Sequence, residues 1–110
     1  MYRQLRLCFL VFLGILLFFH GNALSMDKKQ IGQLKTAAMQ GEPTAQNELG
    51  LIYFNGDGIP VNYLKAMKWF KKAAEQNDAK AQNNLGVMYL NGDGVPQNYQ
   101  EAMKWFKKAA

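Results

Sequence analysis

The feature that most constrains the fold is an internal repeat of 36 residues, which occupies residues 39–74 and again residues 75–110. The two copies are identical at 23 of 36 positions, and the last nine residues of each copy do not differ. A period of this length is typical of helical arrays, in which each unit stacks on its neighbour because it cannot bury its apolar face alone. The repeat therefore predicts an all-α fold, an α/α superhelical solenoid of helix-turn-helix units.

Each copy is predicted to form two helices, A and B. Helix A of the first copy begins near Pro43, where the missing N–H of proline costs nothing, and Asp78 is expected to cap helix A of the second copy. The Asn-Gly-Asp-Gly segment at residues 55–58 ends helix A of the first copy. Asn62 is then expected to cap a helix B that starts at Tyr63.

A glycine lies in the middle of each helix A, at Gly50 and Gly86. Glycine in a helix interior costs about 1 kcal/mol relative to alanine. Close packing of another helix against the glycine would offset this cost. We expect Trp69 and Trp105 to supply the side chains that pack there.

The first residues of the chain have the pattern of a secretory signal peptide. Arg3 and Arg6 precede an apolar run at residues 7–19, and the small-x-small segment at residues 23–25 resembles a cleavage site. The alternative is an uncleaved anchor, but a helix of this length spans about 20 Å, less than the hydrocarbon core of a bilayer. The leader predicts a secreted or periplasmic protein.

The remaining segment before the repeats resembles a helix B that has no helix A of its own. The predicted organisation is a signal peptide at 1–25, an N-terminal capping helix (a half-repeat) at 26–41, and repeats at 42–77 and 78–110. The second repeat stops inside its helix B, so Trp105 and Phe106 lack the next helix A. We expect either a piece of a longer array or self-association through this uncapped face.

Loss of the leader would remove the only Cys, His and Ser residues of the chain, which are Cys8, His20 and Ser25. Nucleophilic catalysis needs an activated side chain beside a base, and Thr36 and Thr44 have no base in the local sequence. Transition metals need His or Cys ligands. We therefore expect no enzyme activity, no cofactor and no metal.

Two further binding functions, calcium binding and the binding of nucleic acid or a membrane, have simpler alternatives in the sequence. Asp57 and its equivalent Asp93 fit glycine-rich turns, and the calcium-loop pattern fails at Ile59 and Ala66. The basic and aromatic segment at residues 68–72 could contact nucleic acid or an anionic membrane. Helical spacing instead puts its aromatic side chains on the buried face and its lysines in solvent, so we expect neither nucleic acid nor membrane as a partner.

The motif A-x-x-x-L-G-x-x-Y-x-x-G-x-G-(V/I), followed by A-M-K-W-F-K-K-A-A, is similar to that of the Sel-one-like repeat family, which is related to the tetratricopeptide repeats. The resemblance implies an adaptor or protein-binding scaffold, and secreted bacterial members are common. Penicillin binding or β-lactamase activity has been attributed to some secreted members that carry a Cys pair in each repeat. A β-lactamase-like hydrolase is thus an alternative, but the repeats of this chain contain no Cys.

In tetratricopeptide-like solenoids helix A lines the concave groove, which implies a protein or peptide partner at the second stripe of each helix A. The candidate groove residues are Thr44, Asn47, Leu51 and Phe54 in the first repeat and Lys80, Asn83, Val87 and Leu90 in the second. Stacking is expected to align them in a partly apolar channel with rows of Asn side chains. The alternative is that the four apolar members pack between helices.

Overall fold

The structure is a computed structural model that describes residues 26–110, so the predicted signal peptide lies outside the described residues. Within 26–110 the chain forms five α-helices and no strand. The helices are α1 (Lys28–Met39), α2 (Pro43–Asn55), α3 (Tyr63–Glu75), α4 (Ala79–Asn91) and α5 (Tyr99–Ala109). None of these five helices is long and apolar enough to cross a membrane.

The helices begin where the sequence predicts, because residues next to each start set it. Pro43 is the first residue of α2, while Asn62 and Asp78 each accept a hydrogen bond from the backbone N–H three residues further on, at 3.0 and 2.9 Å. At α1 the cap is reciprocal: the N–H of Gln30 donates to Asp27 at 2.8 Å, and the N–H of Asp27 donates to the Gln30 side chain at 3.1 Å.

Consecutive helices pack against one another, α1 on α2, α2 on α3, α3 on α4 and α4 on α5. One apolar cluster runs through the stack, and its largest fully buried side chains are Leu49, Phe70, Leu85 and Met88. The all-α solenoid is confirmed.

The prediction that tryptophans approach the mid-helix glycines is wrong. A Cβ added to Gly50 would lie 2.5 Å from Cε1 of Phe70. Gly86 faces Phe106 in the same way. Successive helical residues are rotated by about 100°, so Trp69 does not share the direction of Phe70, and the ring beside Gly50 is that of Phe70. Trp69 is half-buried, and Nζ of Lys72 lies 4.8 Å from the centroid of its ring.

Two buried glutamines join the repeats. Nε2 of Gln46 donates to the carbonyl of Ala38 at 3.0 Å, and Nε2 of Gln82 donates to the carbonyl of Ala74 at 3.2 Å. Each amide thus adds a second hydrogen bond to a carbonyl near the C-terminal end of the preceding helix, which also accepts a backbone N–H. Their burial was not predicted, because glutamine is usually an exposed residue.

Candidate functional site

A cleft of about 590 Å³ opens where α2 and the start of α4 face each other. Four of the eight candidate groove residues line it, namely Thr44, Asn47, Leu51 and Lys80. The other lining residues are Glu48, Asn77, Asp78 and Ala79. The loop residues Asn77 and Asp78 and the first two residues of α4 therefore form one wall, and α2 from Thr44 to Leu51 forms the other.

A hydrogen bond between two asparagine side chains connects α2 to α4 beside this cleft. Asn47 is 4% exposed, and its Oδ1 accepts a hydrogen bond of 2.8 Å from Nδ2 of Asn84. The predicted row of asparagines paired Asn47 with its repeat equivalent, Asn83, which is exposed instead. The pairing is displaced by one residue because Asn84 lies on the side of α4 that faces α2.

The apolar candidates divide into two pairs. Leu51 and Phe54 are half-buried and pack on the core, and the ring of Phe54 lies 5.2 Å from that of Tyr63. For these two residues the structure supports the packing alternative, although Leu51 also lines the cleft. Val87 and Leu90 are 37% and 39% exposed on α4. Four of the predicted groove residues do not line the cleft, namely Phe54, Asn83, Val87 and Leu90.

A second depression, of about 430 Å³, lies between α1 and α2 and borders the first. Thr44 and Glu48 line both, so these two side chains form the ridge between them. Glu48 was not among the predicted groove residues, which followed the stripe from Thr44 through Asn47 and Leu51. Glu48 is four residues from Thr44 and three from Leu51, which places it on the same helical face. This spacing can be read from the sequence and could have identified Glu48 as a groove residue.

The chemistry of the cleft consists of hydrogen bonds and charge. Glu48 and Lys80 are exposed and of opposite sign, whereas the carboxylate of Asp78 already accepts the capping N–H of Ala81. Within residues 26–110 no three His, Cys, Asp or Glu side chains gather where they could hold a metal ion. These groups suit the recognition of a polar chain that has a few apolar side chains.

Two solved structures share this fold and a substantial part of the sequence. A Sel1 repeat protein from Oxalobacter formigenes is 41% identical with a TM-score of 0.71, over 74% of this chain and 34% of that protein. The protein c5321, a protective antigen present in uropathogenic Escherichia coli strains and displaying an SLR fold, is 40% identical with a TM-score of 0.71. That match covers 73% of this chain and 17% of the antigen.

This chain therefore spans about a third of the first protein and about a sixth of the second. No curated protein matches it. The model of the Sel1 repeat matches residues 43–78 and 79–110, which is more than half of the chain. The two matched segments contain α2 with α3 and α4 with α5, the two helical pairs described above. The chain belongs to the Sel1 repeat family.

Proposed function

We propose that the chain is a secreted or periplasmic interaction scaffold that holds a peptide segment of a partner protein in the cleft between α2 and α4. Sel1 repeats are typical of non-catalytic scaffolds, and this chain is proposed to perform no catalysis of its own. A β-lactamase-like hydrolase is less favoured, because residues 26–110 contain neither Ser nor Cys as a nucleophile.

The observation that carries the proposal is the cleft of about 590 Å³ with exposed polar side chains on both walls. Thr44 and Glu48 on one wall and Lys80 on the other are exposed, and they offer hydrogen bonds and both signs of charge. Leu51 adds an apolar surface at the same place. An extended or helical peptide carries this mixture of backbone polar groups and apolar side chains.

The cleft is tested by selecting peptides from a random displayed library on the purified protein and measuring their affinity for variants. Thr44→Arg puts a long side chain at the exposed ridge and leaves the core intact, so we expect about a tenfold loss of affinity. The matched control is Gln100→Arg, which introduces the same side chain at an exposed position of α5. Equal affinity of the selected peptides for the two variants would exclude the cleft as their site.

Export is the second part of the proposal, and it depends on the leader at residues 1–25. Mass spectrometry of cell fractions is expected to find the chain outside the cytoplasm with Met26 as its first residue, or Leu24 if cleavage follows Ala23. A cytoplasmic chain that keeps Met1 would contradict the export signal.

Self-association through α5 is a further interaction that we propose. Tyr99 and Met103 are 63% and 58% exposed, whereas Met67, the repeat equivalent of Met103, is buried. An exposed apolar face of this kind favours a second copy as a partner. Sedimentation is expected to show concentration-dependent dimers that Met103→Lys weakens. A monomer at all concentrations would refute this part.

A further inference from the structure

A separate pocket of about 280 Å³ lies between α1, the end of α2 and the start of α3, and it shares no residue with the cleft. The loop that joins α2 to α3 supplies its apolar wall. Lys35, Tyr53, Ile59, Pro60, Val61 and Lys65 line it, together with the capping residue Asn62. This set is called the Lys35–Lys65 pocket below.

The charged groups of the Lys35–Lys65 pocket are all positive. Lys35 comes from α1 and Lys65 from the first turn of α3, and no carboxylate is among the lining residues. The N-terminus of α3, capped by Asn62, adds the positive end of a helix dipole at the same place. An ammonium group has three donors and no acceptor, so two of them at one pocket favour an anionic oxygen.

The walls are apolar and held in place. Tyr53 is buried, its carbonyl accepts a 2.8 Å hydrogen bond from the N–H of Asn62, and Nζ of Lys65 lies 5.4 Å from its ring centroid. Val61 is more than half exposed at the opening. An apolar side chain left in contact with water beside two cations suits a ligand that has an apolar body and an anionic head.

We propose that the Lys35–Lys65 pocket binds a small amphiphilic anion, a carboxylate or a phosphate monoester on a short apolar chain. The volume of about 280 Å³ is just below the usual range of pockets that hold small molecules, which limits the ligand to a short chain. This site is independent of the peptide cleft, so either proposal stands if the other fails.

The second repeat provides an internal comparison, because it keeps the backbone and changes the chemistry. Glu101 occupies the position of Lys65, and its Oε1 lies 3.9 Å from Nζ of Lys104. Gln97 occupies the position of Val61, and its Nε2 donates to the carbonyl of Leu90 at 2.7 Å. The second repeat therefore has one lysine, Lys71 at the position of Lys35, and one carboxylate, Glu101, at this place, and the anion site belongs to the first repeat.

The test is titration of the purified full chain with hexanoate and hexyl phosphate, followed by NMR shifts or calorimetry. Both anions are expected to bind saturably at one site. Hexylammonium, which has the same chain and the opposite charge, is expected not to bind there. Lys65→Glu introduces the residue of the second repeat and is expected to weaken binding about tenfold. Lys68→Glu, the same change at an exposed position of α3 outside the pocket, is expected to change it by less than about twofold.

Lys35→Gln tests the same pocket from α1 and is expected to lower affinity about fivefold with the fold intact, as circular dichroism would verify. Inorganic phosphate is expected to bind more weakly than hexyl phosphate, because it has no apolar body. Equal losses with Lys65→Glu and Lys68→Glu would show that binding follows the charge of α3, and would overturn the proposal. Absence of saturable binding by both anions would overturn it as well.

Discussion

At the scale of single residues, Gly50 and Gly86 determine how closely the two helices of each repeat approach. The space beside Gly50 is filled by Phe70, which is 1% exposed, so its ring is enclosed by other core side chains. Alanine would gain about 1 kcal/mol in helix propensity at this position. Overpacking of a full core costs up to about 3 kcal/mol, so the steric cost exceeds the gain in propensity.

We therefore expect Gly50→Ala to lower the free energy of unfolding by about 2 kcal/mol. The control is Gly32→Ala, in the middle of α1, where an added Cβ would meet no atom within 4 Å. In that variant the free energy of unfolding is expected to rise by up to about 1 kcal/mol, from helix propensity alone. Urea unfolding followed by circular dichroism measures both, and a Gly50→Ala protein as stable as the Gly32→Ala protein would show that the ring of Phe70 moves aside.

At the scale of helices, the buried glutamines add a second hydrogen bond to carbonyl groups at the ends of α1 and α3. The carbonyl of Ala38 also accepts the N–H of Gly41 at 3.1 Å, and that of Ala74 accepts the N–H of Asn77 at 3.0 Å, so each glutamine uses the second lone pair of its carbonyl. Gln46 donates to Ala38, and its Oε1 accepts a further bond of 2.9 Å from Nε2 of Gln76. Gln82 donates to Ala74 at the next junction. Each junction between repeats therefore includes a specific polar contact within its apolar packing.

Replacing these glutamines by methionine preserves the length of the side chain and its helix propensity but removes the amide. We expect Gln46→Met to lower the free energy of unfolding by about 2 kcal/mol, because it breaks two hydrogen bonds. We expect Gln82→Met to lower it by about 1 kcal/mol, because it breaks one hydrogen bond. Gln100→Met, at an exposed position of α5, is expected to change stability by less than about 0.5 kcal/mol. Thermal unfolding of the three variants would refute this interpretation if all three unfolded alike.

The helices could be predicted from sequence because their signals act over short distances. Pro43, Asn62 and Asp78 each satisfy or remove a backbone N–H within one turn, so the starts of α2, α3 and α4 follow from neighbouring residues alone. The 36-residue period then predicts that the pairs stack.

Contacts between helices could not be predicted in the same way, because they depend on how far each helix is rotated about its axis. One residue of error in this rotation exchanges Phe70 for Trp69 beneath Gly50, and Asn84 for Asn83 beside Asn47. The candidate cleft was predicted in part for the same reason. Of the predicted residues of α2, Thr44, Asn47 and Leu51 line the cleft and Phe54 does not, whereas the only residues of α4 that line it are Ala79 and Lys80, in its first turn.

At the scale of the whole molecule, the helices form a linear stack in which each contacts its neighbours along the chain. In such an array the total stability is the sum of the intrinsic stability of each unit and of the contacts between neighbours. Segments 66–74 and 102–110 have the same sequence, but α3 packs between α2 and α4 whereas α5 packs on α4. The two segments thus report how much a second neighbour adds to the stability of one sequence.

Amide hydrogen exchange is expected to be about tenfold slower at residues 66–70 than at residues 102–106, because local opening of α3 breaks contacts on two sides. Their intrinsic exchange rates are nearly equal, since the sequences match and both helices begin with an asparagine cap. NMR or mass spectrometry measures both segments in one sample, so each controls the other. Equal protection at the two places would mean that the five helices open as a single cooperative unit, in which neighbour contacts do not set local stability.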